Sequence, residues 1–103
     1  MTFHPKLVRD KIPQIITASG KSCKYRQLSD AEYESALYEK LREELSEFEE
    51  TPSVEEAADM YEVLLAMMHH WGLSASAVTE AAYEKRMTRG GFGEKIFLEN
   101  IEK

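Results

Sequence analysis

From Tyr33 onward the apolar residues recur at helical rather than strand spacing. Tyr33, Leu37, Leu41, Leu45 and Phe48 follow one another at intervals of four, four, four and three, along one face of a helix. Ser29-Asp30-Ala31-Glu32 precedes them as a capping box, in which a serine hydroxyl and a glutamate three residues later satisfy each other's backbone N–H groups. A helix is therefore predicted to about Glu50. Thr51-Pro52-Ser53 breaks it, because Pro52 lacks an N–H to continue and Ser53 caps a second helix. That second helix, about Val54 to Trp71, carries two apolar stripes. One is Val54, Ala57, Ala58, Tyr61, Leu64, Leu65 and Met68; the other is Met60, Val63 and Met67. A helix apolar nearly all round is expected to be buried on both sides.

Gly72 ends that helix, Ser74 caps a third running to about Arg89, and Gly90-Gly91 stops it. At the front, Lys6 to Asp10 reads as extended, and Pro13 to Gly20 as a short helix with proline in its first turn. Cys23 to Leu28 alternates well enough for a short strand. The tail, Phe92 to Lys103, carries Ile96, Leu98 and Ile101, as a short strand or an extended arm. The predicted class is all-α, an antiparallel helical bundle with minor extended segments near the termini.

The chain of 103 residues fits one domain, 1–103, with no repeat or linker. Apolar residues at 43% and charged residues at 31% give a globular composition. No export signal is expected, since Met1 to Asp10 is mixed and charged with no apolar run behind it, and the longest apolar run, Val63 to Met68, is too short to span a bilayer. The single Cys23 cannot form an intramolecular disulfide and lacks metal-ligand spacing, so a reducing cytoplasm is expected.

The net charge of −6 is unevenly spread. Glu32 to Glu62 holds twelve acidic residues against Lys40 and Arg42, whereas Met1 to Arg26 holds six basic residues against Asp10. The acidic middle argues against binding a nucleic-acid polymer, and admits phosphates only where cations intervene. On charge alone it reads as a solvated face.

Two acidic pairs sharpen that picture, Glu44 with Glu47 and Glu56 with Asp59, each at i, i+3 and so adjacent on its helix. At about 100° per residue, Glu44 lies roughly 60° and Glu47 roughly 120° off the direction of Leu37, Leu41, Leu45 and Phe48, while Glu43 points outward. Glu56 and Asp59 fall on the side of Met60, Val63 and Met67. The short break makes the helices antiparallel neighbours. Both pairs are thus expected to meet near one end of the helix pair. Two negative charges about 5 Å apart repel by roughly 3 kcal/mol at an effective dielectric of about 20. Such convergence calls for a counter-charge, and a hard divalent cation takes carboxylate oxygens. A single acidic pair of this kind has almost no specificity, because solvated acidic helix faces are common; two pairs on adjacent helices, each flanking an apolar stripe, leave a solvated face and a shared site equally open.

A basic group, Lys85 and Arg89 with Arg86, closes the third helix before Gly90-Gly91-Phe92. It suits phosphate oxygens, but on spacing alone the favoured reading is that it complements the negative end of the helix dipole. His69, His70 and Trp71 read as helix-terminal surface groups, His4 has no evident partner, and Tyr25, Tyr38 and Tyr83 read as core or rim packing.

These motifs together resemble a known family. Lys6-Leu7-Val8-Arg9-Asp10-Lys11-Ile12-Pro13 is similar to the opening of predicted house-cleaning pyrophosphohydrolases of the MazG-like all-α superfamily. Glu43-Glu44-Leu45-Ser46-Glu47 resembles its EExxE motif, Glu56-Ala57-Ala58-Asp59 its ExxD motif, and Lys85 to Phe92 the closing Lys…Arg-Gly-Gly-Phe segment. The resemblance covers nearly the whole chain, in order. It implies a helical bundle assembled as a homodimer or higher oligomer. It implies Mg²⁺-dependent hydrolysis of a nucleoside triphosphate to monophosphate and pyrophosphate, clearing non-standard nucleotides, with Mn²⁺ as a substitute ion. Glu44, Glu47, Glu56 and Asp59 would be the metal ligands, Glu44 or Glu47 would orient or deprotonate the attacking water, and Lys85 and Arg89 would contact phosphate. One departure is a connection between Glu47 and Glu56 shorter than in many members. The rival readings are a phosphoribosyl-ATP pyrophosphohydrolase of the same superfamily and a non-catalytic helical interaction module that needs a partner chain.

Overall fold

The computed structural model describes residues 3–102 and is all-helical there, with four helices in the order α1 (Ile12–Ala18), α2 (Asp30–Glu50), α3 (Val54–His70) and α4 (Ala75–Arg89). The outermost positions of the expected domain and tail, 1–2 and 103, lie outside the described residues.

Each helix begins where local chemistry directs. Pro13 stands in the first turn of α1. At α2 both halves of the capping box form: the Glu32 N–H donates to Ser29 Oγ at 3.3 Å, and the Ser29 N–H donates to Glu32 Oε1 at 3.0 Å. Ser53 and Ser74 accept from the N–H groups of Glu56 and Ala77. At the end of α3, Gly72 takes φ +69°, which lets the Leu73 N–H reach back to the Met68 carbonyl at 2.8 Å. A left-handed residue closing the last helical carbonyls is the usual role of glycine there.

α2 and α3 form the packed unit. The N-terminal half of α2 meets the C-terminal end of α3, where Trp71 Nε1 donates to Tyr38 Oη at 3.1 Å and His70 packs edge-on against Tyr33. The two helices are therefore antiparallel, as the Thr51-Pro52-Ser53 break requires. Leu37, Val63 and Met68 are buried between them, with Met60, Met67, Leu41 and Phe48 half-buried around.

Three sequence expectations are corrected. Cys23 to Leu28 is not a strand: it has no neighbouring edge to pair with, and all of it but Leu28 is exposed. The tail is likewise not a strand among the described residues, leaving the extended arm, with Phe92, Ile96, Leu98 and Ile101 all exposed. Nor is the second long helix covered on both sides. Its Met60, Val63 and Met67 stripe turns toward α2, while Val54, Ala57, Ala58, Tyr61 and Leu64 stay open to solvent.

The inner face of α2 is also rotated from the predicted one. Leu45 is 46% exposed, and Glu44 takes the inward position in the series Leu37, Leu41, Glu44, Phe48. α4 meets α3 sparsely and does not reach α2. The radius of gyration is accordingly 18.3 Å, against about 13 Å for a compact domain of this length.

Candidate metal centre

The site is built at the turn end of the α2–α3 pair. Glu44 comes from the C-terminal half of α2, and Glu56 and Asp59 from the first two turns of α3. The three-residue connection brings these segments side by side. One carboxylate oxygen from each of Glu44, Glu56 and Asp59 lies within 4.8 Å of the others.

Burial separates this group from an ordinary acidic surface. Glu44 is 6% exposed, and Glu56 and Asp59 are half-buried. Glu44 Oε2 and Glu56 Oε2 are both shut off from solvent without any hydrogen-bond partner. An orphaned buried acceptor costs about 1–3 kcal/mol, and more when charged. Two of them on members of one acidic cluster make a donor set suited to a hard cation.

The electrostatics agree. The Glu56 carboxyl is pushed above the usual carboxylate range, first by lost hydration and then by the charges of Glu47, Asp59 and Glu44. Two cations answer the negative charge. Lys40, one turn before Glu44 on α2, places Nζ 3.4 Å from Glu44 Oε1 and 3.4 Å from Glu43 Oε1. Arg9 reaches in from the segment before α1, and its Nη2 donates to Asp59 Oδ1 at 2.8 Å. Arg9 Nη1 lies 4.0 Å from Glu62. A hollow of about 100 Å³ opens there, walled by Leu7, Val8, Arg9, Lys40, Glu44 and Asp59 among others.

Of the four predicted ligands, Glu44, Glu56 and Asp59 come together. Glu47 is exposed and stands outside that trio, yet close enough to Glu56 to raise its pKa. Glu44 is more central than its sequence position implied, lying on the core line rather than beside it. Lys85 and Arg89 are not brought to the cluster. Both are exposed on α4, line no part of the hollow and form no ion pair among the described residues. His70 belongs to the opposite end, 3.5 Å from Glu34 and between the rings of Tyr33 and Trp71.

Arg9 and Lys40 are the residues that sequence reasoning passed over as site groups. The signal for Arg9 was the contrast between a basic N-terminal segment and an acidic middle. For Lys40 it was the i, i+4 spacing to Glu44.

Comparison with known proteins adds little. No family model matches the chain, and no solved structure matches it. An uncharacterized protein of Mycolicibacterium smegmatis is 55% identical over 42 residues, a stretch that is 41% of this chain and 43% of that protein. The match thus spans less than half the length of that relative. No helix is long and apolar enough to cross a membrane among the described residues.

Proposed function

We propose that this chain is a Mg²⁺-dependent nucleoside triphosphate pyrophosphohydrolase of the MazG-like type, releasing a nucleoside monophosphate and pyrophosphate. The observation that carries the reading is the convergence of Glu44, Glu56 and Asp59 with two buried, unpartnered carboxylate oxygens. The EExxE and ExxD motifs, which suggested the family, contribute these same residues from adjacent helices.

Glu44, Glu56 and Asp59 would hold the ion, with Glu47 beside Glu56 completing the set. A divalent cation held there supplies Lewis acidity toward phosphate oxygens and activates water for attack. Glu47 is the exposed member of the group, so its carboxylate is the one free to orient a water or take its proton; Glu44 is packed inward beside Lys40 and suits ligation. Lys40 limits the charge accumulated on α2. The three-residue connection places no lid over the cluster, so base selection must come from elsewhere, a second copy of the chain included.

A homo-oligomer forms part of this reading. The open face of α3, with Tyr61 59% and Leu64 43% exposed, and the uncovered apolar residues of α4 and the tail are the surface that such an assembly would bury. That feature alone also suits a non-catalytic interaction module. Release of pyrophosphate discriminates: purified protein with Mg²⁺ and a panel of standard and modified nucleoside triphosphates is expected to yield it, and Glu44→Gln is expected not to. Including phosphoribosyl-ATP in the panel separates the two enzymatic readings. The proposal is abandoned if no nucleotide yields pyrophosphate and Glu44→Gln behaves as the unaltered chain does.

A further inference from the structure

The α2–α3 pair contributes four acidic side chains around the cluster, and the nearest cation from outside the pair is Arg9. Its backbone is seated, because Leu7 and Val8 are half-buried against the hollow and the Arg9 carbonyl accepts from the Ile12 N–H at 3.1 Å. Its side chain remains 56% exposed, so an anchored stem carries a free head. That head bonds an oxygen of Asp59, which also belongs to the metal-ligating trio.

A guanidinium bonded to one oxygen of a carboxylate draws on the negative charge that its other oxygen can offer a divalent cation, and the two cations repel, so the contacts compete. A freed guanidinium is a planar fork with two parallel donors, the geometry that suits phosphate oxygens. Lys85 and Arg89 lie away from the cluster, which leaves Arg9 as the arginine bordering it.

Building on the metal-centre reading, we propose that Arg9 is a displaceable counter-cation: it pairs with Asp59 and, when a divalent cation competes for that carboxylate, turns to the phosphate groups of the ligand. Arg9 is thus a substrate-binding residue whose resting contact is with a metal ligand.

Calorimetric titration tests this on the full chain, with Mn²⁺ alone and then with pyrophosphate in saturating Mn²⁺. Arg9→Gln is expected to bind Mn²⁺ alone about 2- to 5-fold more tightly, the scale of losing an exposed ion pair. The same variant is expected to bind pyrophosphate about tenfold or more weakly, the scale of a lost charged hydrogen bond. Arg9→Lys, which keeps the charge and loses the fork, should fall between. Lys11→Gln removes an equal charge two residues along and should alter neither affinity, which excludes a long-range charge effect. Unchanged Mn²⁺ affinity in Arg9→Gln, unchanged pyrophosphate affinity, or a Lys11→Gln response equal to that of Arg9→Gln each overturns the proposal while leaving the metal centre standing. An unaltered chain that binds no Mn²⁺ overturns the metal centre, and this inference with it.

Discussion

The two halves of the molecule solve the problem of burial differently. α2 and α3 close on each other through Leu37, Val63 and Met68 and carry the acidic cluster at their joined end. α4 touches only α3, and sparsely, and the tail lies open among the described residues: Tyr83 is 53% exposed, Met87 69% and Phe92 98%. Both regions are well-formed by local rules, with capped helices and glycine stops. Local rules therefore set where a helix begins and ends, while burial depends on a second surface. The first half has found that surface within the chain and the second has not.

The sharpest way to break this contrast is at the cluster. Glu56→Gln is expected to lower Mg²⁺-dependent pyrophosphate release by about 10²-fold or more, the usual scale for groups acting at the reacting centre. Lys85→Ala, on the uncovered half, is expected to lower it far less; equal losses would mean that α4 reaches the site in the working assembly.

Stability should divide the same way. Leu37→Ala is expected to cost about 2–5 kcal/mol in denaturant unfolding, because a nearly closed site loses its methyl groups. Met87→Ala should cost under about 0.5 kcal/mol in dilute protein, as a surface substitution does. If copies associate, the Met87→Ala cost will grow with protein concentration. Tyr61→Glu should then shift the mass measured by light scattering toward that of one chain. A wild-type mass of one chain at all concentrations would remove the oligomer from the picture.

A smaller effect concerns the metal-free protein. The Glu56 carboxyl is raised by lost hydration and by its acidic neighbours, so Glu56→Gln should raise the melting temperature without metal even as it lowers the proposed pyrophosphate release. A fall in Tm would mean that the carboxylate is stabilising as it stands. The smallest effect lies at the start of α2. Glu32 is held down to about 2 by its hydrogen bonds from Arg26 and then by those from Ser29. Because the folded value is depressed, this contribution is complete above the ordinary carboxylate range near pH 4.5 and is lost as pH falls toward about 2. An NMR titration of the Glu32 carboxyl should report it, and Arg26→Gln should return the midpoint toward the ordinary value.

Much of the fold was legible because its determinants are local. Ser29 with Glu32, Ser53, Ser74, Pro13 and Gly72 mark boundaries that the structure reproduces closely. What was not legible needed information from elsewhere in the chain. Periodicity gave α3 two apolar stripes but could not say which one α2 would cover. On α2 it favoured Leu45 over Glu44, because an apolar side chain is the better guess for an inner position unless a second helix brings acids to meet it. Alternation at Cys23 to Leu28 predicted a strand, yet a strand exists only beside another. A meeting of Glu44, Glu47, Glu56 and Asp59 was anticipated, since two motifs and a short turn confine where acids meet, but only Glu44, Glu56 and Asp59 come together and Glu47 stays outside them. Arg9 was not anticipated, since fifty positions separate it from Asp59 and no helical spacing connects them.

The serine that starts α3 has a role beyond starting it. Ser53 Oγ accepts from the backbone N–H of Glu56 itself, at 3.2 Å, so the cap that starts the helix also holds the backbone of a cluster residue. Fraying of this first turn would displace the Glu56 backbone relative to Glu44 on the neighbouring helix. Order in a single turn of backbone thus sets the precision of the acidic centre, and a substitution at an uncharged hydroxyl could blunt ion binding without touching any donor oxygen.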